Sequence, residues 1–152
     1  MVWKKILVPH DFSSSANHAV ALARDVAKVH GAKILLLHVV DVPHQLGHDA
    51  VVIDPETKAP VALKDYAITA GQAHLDDLCA RLKKDDVEAQ GFLRVGSPVD
   101  EIIRFATEEP VDLVAIGTHG RAGLKHLLLG SVAERVVRHC PIPVLTVRHP
   151  EH

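Results

Sequence analysis

Aromatic residues make up only 3% of this 152-residue chain, leaving little from which to build the stacking platforms that hold single-stranded nucleic acid. The chain also lacks a charge excess: 17 Lys and Arg stand against 19 Asp and Glu, for a formal net charge of -2 with His neutral. Its basic residues are scattered, which argues against an electrostatic footprint for nucleic acid or an anionic membrane. Cysteine is scarce. Cys79 and Cys140 form neither a CxxC pair nor a zinc-like cluster, and reduced thiols in a cytoplasmic protein are the expected state. No apolar run approaches the roughly 18 residues of a membrane helix. The opening MVWKKILVPHDF has too short an apolar core, and no small-residue cleavage site, for a signal peptide. A cytoplasmic protein with neither nucleic acid nor membrane as partner is expected.

What is present is an ordinary globular composition, 47% hydrophobic and 24% charged, read as one domain over residues 1–152. Short apolar runs alternate with helical periodicity. KKILVP (4–9) reads as a strand covered on both faces. The following helix places Ala16, Ala19, Val20, Ala23, Val26 and Ala27 on one face and stops at Gly31. Residues 32–40 form a second buried strand. Residues 41–61, with Pro43, Gly47, Pro55 and Pro60, read as a long irregular excursion. A helix is predicted over 63–84, then a more polar edge strand over 87–96. Ser97-Pro98 opens a third helix, 111–117 is a strand, a helix runs from Ser131 to near Cys140, and 142–148 is the last strand. Strict alternation predicts an open α/β fold: a five-stranded parallel sheet with helices on both faces.

Ligands of such sheets lie beyond the carboxyl ends of the strands, where the strand order reverses. Of the loops there, GTHGRAGLKHLLLGS is the most unusual, with Gly117, Gly120, Gly123 and Gly130 in one connection. Glycines permit positive φ and close backbone approach, so successive N–H groups can converge on an anion. Gly130-Ser131 then enters a helix, whose N-terminus favours phosphate. Thr118 and Ser131 add hydroxyls, and Arg121 and Lys125 add positive charge. The competing explanation is a loop turn and a helix junction with no ligand. The spacing is neither a Walker A sequence nor a GxGxxG fingerprint.

Gly117-Thr118-His119-Gly120, nine residues, then Gly130-Ser131 resembles the G-x2-G-x9-G-[ST] pattern of nucleotide-binding universal stress proteins. KKILVPHDFSSSANHAVALA, LLHVVD, GSPVDEII, DLVAIGTHGRAG and GSVAERVVRHCPIPVLTVR resemble that family in order and spacing, over nearly the whole chain. His10 departs from it, since a small residue is common there. The resemblance implies a Rossmann-like, adenine nucleotide alpha hydrolase-like fold with strand order 3-2-1-4-5. It implies that Pro9, His10 and Asp11 line the nucleoside end and that Val40 or its neighbour Val39 offers backbone groups to the adenine edge. Ile116, Gly117 and Thr118 would then back the ribose and first phosphate, with His119, Gly120, Arg121, Gly130, Ser131 and Val132 around the polyphosphate. The implied ligand is ATP, with Mg2+ or Mn2+ bridging the phosphates. The implied role is a stress-response or signalling module, a homodimer through strand 143–148, with a further protein partner unidentified.

Several residues carry two readings. Asp11 serves as a helix cap, a ligand contact, or both. His119 reads as a non-catalytic loop histidine, because no carboxylate stands beside it in sequence to orient it. His44 and His48 are spaced for zinc only on a helix, which Pro43 and Gly47 oppose, so a solvated loop is expected. Cys140 reads as a small buried apolar residue. The excursion 41–61 is expected to be a mobile flap near the adenine end. The enzymatic alternative is a slow ATPase or phosphotransferase, although the HxGH and SGGxDS signatures of adenylyl-transferring relatives are absent. A sensor of AMP or cyclic AMP is the other alternative.

Overall fold

The computed structural model describes residues 2–42, 50–119 and 129–148. The first strand, β1 (Lys5–Pro9), leads into helix α1 (Ser14–His30), and β2 (Lys33–Val40) follows. A hairpin of β3 (Val51–Ile53) and β4 (Pro60–Ala62) precedes α2 (Leu63–Lys84) and β5 (Ala89–Val95). The chain continues through α3 (Pro98–Glu108), β6 (Leu113–Gly117), α4 (Ser131–His139) and β7 (Val144–Val147). Five strands form one sheet in the order β5-β2-β1-β6-β7, all pairs parallel. Counted along the chain within that sheet, this is the order 3-2-1-4-5. The order reverses between β1 and β6.

The continuous apolar runs form central strands because both of their faces are covered. Alternation sorts the side chains into two cores: Ile6, Val8, Ile34 and Leu36 pack with α1 and α2 residues such as Ala19, Ala23 and Leu75. Leu7, Leu35 and Leu37 point the other way, onto Ile102 and Phe105 of α3 and Val136 of α4. Local chemistry sets the helix ends. Ser13 caps α1 by accepting the Ala16 N–H at 3.1 Å, and Gly31, at φ 65°, ends it in the left-handed conformation. Pro98 occupies the first turn of α3, where a missing N–H costs nothing.

Residues 50–62 differ from the irregular excursion read in the sequence. They form the antiparallel hairpin β3–β4, with Val52 opposite Val61 and Ile53 opposite Pro60. Its turn is organised by Asp54, whose Oδ1 accepts the N–H groups of Glu56 (2.8 Å) and Thr57 (3.3 Å), with Lys58 at φ 60°. Three-residue strands carry too little periodicity to be seen in the sequence. Pro43, His44, Gly47 and His48 lie outside the described residues. None of the described helices is long and apolar enough to cross a membrane.

Candidate functional site

The carboxyl end of β1 is fixed by His10. Its N–H donates to the Leu37 carbonyl (2.8 Å), and its side chain is buried at 4% exposure. Nδ1 accepts the Phe12 N–H at 2.9 Å, which puts the ring proton on Nε2, 2.9 Å from Asn17 Oδ1. Both ring nitrogens therefore serve the protein, and the large residue at this position folds the loop. Phe12 is held at φ 64°, its ring 4.3 Å from that of His38 and 4.6 Å from that of His74. His38 Nδ1 donates to the His10 carbonyl at 2.8 Å. Asp11 is not the α1 cap, a role Ser13 takes. Its Oδ1 instead accepts the Ser13 N–H at 3.0 Å and shapes the turn before the cap.

Burial lowers the His10 pKa from its ordinary value of 6.5, against the raising effects of the Asn17 hydrogen bond and Asp11, and with further lowering by His38 and His74. The unfolded chain then takes up a proton as pH falls through 6.5, ahead of folded His10. Stability from this residue is full above that pH and is lost below it. His10→Gln, which keeps a donor and an acceptor, should flatten the fall of urea-unfolding free energy between pH 7 and 5. The difference in slope should be at most about 1.4 kcal/mol per pH unit, the value for one proton.

The exit of β6 is held as firmly. Thr118, 1% exposed, donates its N–H to the Val147 carbonyl at 3.0 Å and accepts the Gly130 N–H on its own carbonyl. Its Oγ1 lies 2.9 Å from His119 Nδ1. Thr118 and Gly130 thus close the stem of the glycine-rich connection. Gly117 has no room for a side chain: a Cβ there would collide with Ser15 Oγ and would lie 2.7 Å from both the carbonyl carbon and oxygen of Ser15. Gly130 sits at φ −66°, ψ 166°, ordinary extended backbone, and Gly117 is not among the positive-φ glycines. The expectation of positive φ thus fails at both described glycines of this loop. What they contribute is the absence of a side chain.

At Gly130 that absence has a chemical effect. It is the N-cap of α4 and has no side chain to cap the first turn, and the first intrahelical bond is Glu134 N–H to the Gly130 carbonyl at 2.9 Å. The N–H groups of Ser131, Val132 and Ala133 lie ahead of that bond and have no carbonyl of their own helix to meet. The helix dipole adds to the positive potential there.

These groups open onto a cavity of about 260 Å³. Its apolar end is formed by Leu37 and Val39 of β2 with Pro98 and Ile102 of α3, beside Pro9, His10 and Asp11. Its polar end is formed by Ile116, Gly117, Thr118 and His119, then Gly130, Ser131 and Val132 at the start of α4. Val40 does not line it: the side chain is 4% exposed, and its carbonyl accepts the Gly96 N–H at 3.0 Å. Gly120 and Arg121 lie outside the described residues, as do Gly123, Lys125 and His126. Pro98 and Ile102 were not anticipated as site residues, although the GSPVD loop leaves the same end of the sheet. Their helix is braced against β5 by Glu101, which pairs with Arg104 at 2.8 Å and Arg94 at 3.6 Å.

The model of the universal stress protein family matches residues 3–148 of the chain. The chain belongs to this family. A universal stress protein of Methanocaldococcus jannaschii is 32% identical over 150 residues, covering 99% of this chain and 85% of that protein. The solved structure of a second universal stress protein of the same organism superposes with a TM-score of 0.83 at 30% identity, covering all of both chains. A crystal structure of a universal stress protein in complex with cAMP matches with a TM-score of 0.67 at 25% identity, covering 99% of this chain and 100% of that one. The universal stress protein fold accounts for the parallel sheet and its point of reversal. The cavity lies at that point.

Proposed function

We propose that the cavity binds an adenine nucleotide, with ATP as the ligand, and that the protein works in the cytoplasm as a nucleotide-dependent stress-response module. One observation carries the reading: the uncapped N-terminus of α4, with Gly130 as cap residue, opens onto the cavity. The phosphates take the N–H groups of Ser131, Val132 and Ala133 and the Ser131 hydroxyl, with Gly120 and Arg121 on the loop beyond. The sugar and base occupy the apolar end against Pro9, His10, Asp11 and Val39. Among the described residues no group of three His, Cys, Asp or Glu side chains is arranged to hold a metal ion, so Mg2+ or Mn2+ would ride on the phosphate oxygens.

The cAMP complex of a relative supports the adenine end and favours a second reading, a sensor of cyclic AMP or AMP. Calorimetric titration with ATP, AMP and cAMP, with and without magnesium, separates the two. ATP should bind more tightly than either monophosphate. No binding of any of them at millimolar concentration would remove the nucleotide reading.

The protein is further proposed to form a homodimer through β7, within residues 143–148. The side chains of β7 are less exposed than the sequence implied: Val147 is 9% exposed, and Leu145 and Val144 pack against the two cores. The backbone is the open feature. The carbonyls of Pro143 and Val147 accept from Val114 and Thr118, so by alternation the polar groups of Val144 and Thr146 face the free edge. A second copy paired antiparallel across a two-fold axis would cover them. Light scattering should give twice the 16.5 kDa chain mass. Thr146→Pro, which deletes an outward donor and spares the bonds to β6, should shift the protein to monomer; a wild type that is monomeric at high micromolar concentration would overturn the dimer.

A further inference from the structure

Ser15 is a polar residue in the first turn of α1, 3% exposed, and it does not line the cavity. Its Oγ nevertheless accepts the His119 N–H at 3.2 Å, across 104 positions of sequence. Its backbone lies where a Cβ of Gly117 would stand, 2.7 Å away. The three residues at the mouth of the glycine-rich loop are therefore each held from behind. Gly117 rests on the backbone of Ser15, and Thr118 bonds to Val147 and Gly130. His119 hangs from the Ser15 hydroxyl by its N–H, with its ring against Thr118 Oγ1.

We infer that Ser15 is a positioning residue for the phosphate end of the cavity, acting through the His119 peptide without touching the ligand. The bond to Ser15 turns the His119 N–H toward α1 and away from the cavity. The anion is left to the first turn of α4, and His119 enters the cavity wall in one orientation. A lip fixed before binding loses less freedom when the ligand arrives, so its rigidity appears as affinity. Ser13 caps α1 and shapes the helix, whereas the Ser15 side chain bonds to the loop. Because Ser15 lies behind the polar end only, its removal should act on phosphate and spare the base.

This inference rests on the nucleotide reading, and its test separates the two. Ser15→Ala removes one oxygen, which is also part of the contact with Gly117, but keeps the helix and the backbone side of that contact, so the variant should fold. ATP should bind it about tenfold more weakly, the cost of ordering a freed lip when the ligand arrives, while adenosine affinity stays within about twofold of wild type. In ligand-free protein, exchange of the His119 amide hydrogen should speed up in the variant. Equal losses for ATP and adenosine, unchanged ATP affinity, or unchanged His119 exchange would each overturn the role of Ser15 while the nucleotide reading stands. A wild type that binds neither ATP nor adenosine would overturn both.

Discussion

Gly130→Asp is expected to abolish ATP binding without unfolding the protein. Gly130 leaves the first turn of α4 uncapped at the wall of the cavity. Aspartate is among the preferred N-cap residues, and its carboxylate would take the N–H groups proposed for phosphate. It would also set a negative charge against a polyanion. Two charge-assisted hydrogen bonds lost at about 1.5–3 kcal/mol each amount to a hundredfold or more in affinity. The helix itself should gain, since an aspartate cap exceeds a glycine cap by a few tenths of a kcal/mol and suits the dipole. Calorimetry and thermal melts on one sample read both effects. Gly130→Ala adds bulk but no acceptor, and should retain more ATP affinity than the aspartate. A Gly130→Asp protein that binds ATP like the wild type would show that the phosphates lie elsewhere.

Gly117→Ala should have the complementary signature, a loss of stability in the absence of any ligand. The new methyl would collide with Ser15 Oγ and meet the Ser15 carbonyl at 2.7 Å; the hydroxyl can turn aside, but the backbone yields less readily. Overpacking of this kind costs about 1–3 kcal/mol, and the upper part of that range is expected because α1 must move away from β6. The urea midpoint should fall accordingly. An unchanged midpoint with lost ATP binding would mean that this glycine is kept for the ligand, as the sequence alone had implied.

Much of the fold was legible because it rests on patterns within single segments. The runs KILVP, KILLLHVV and LVAIG are apolar on both faces, and only a strand between two helical layers uses such a run. The span of α2, Leu63–Lys84, follows from apolar residues recurring at three and four positions. The hairpin was not legible, since it is specified by the Asp54 turn and by packing on α2. At the site, the glycine-rich connection stood out by composition, but its physical reasons did not. Gly117 is dictated by Ser15, which is distant in sequence, and Gly130 by what a cap would obstruct. The three serines at 13–15 look alike in the sequence. Only packing assigns Ser13 to the helix and Ser15 to the loop.

The two cores give β1 a parity. Ile6 and Val8 belong to the α1–α2 side and Leu7 to the α3–α4 side, while Pro9 already borders the cavity. Inserting one residue before Pro9 would offer the loop a choice between two errors. If the core kept its register, His10 would lose its place opposite the Leu37 carbonyl. If His10 kept its place, Leu7 would be forced to the wrong side of the sheet. The even-odd count along one five-residue strand therefore governs both the packing of the sheet and the aim of the loop that carries Asp11.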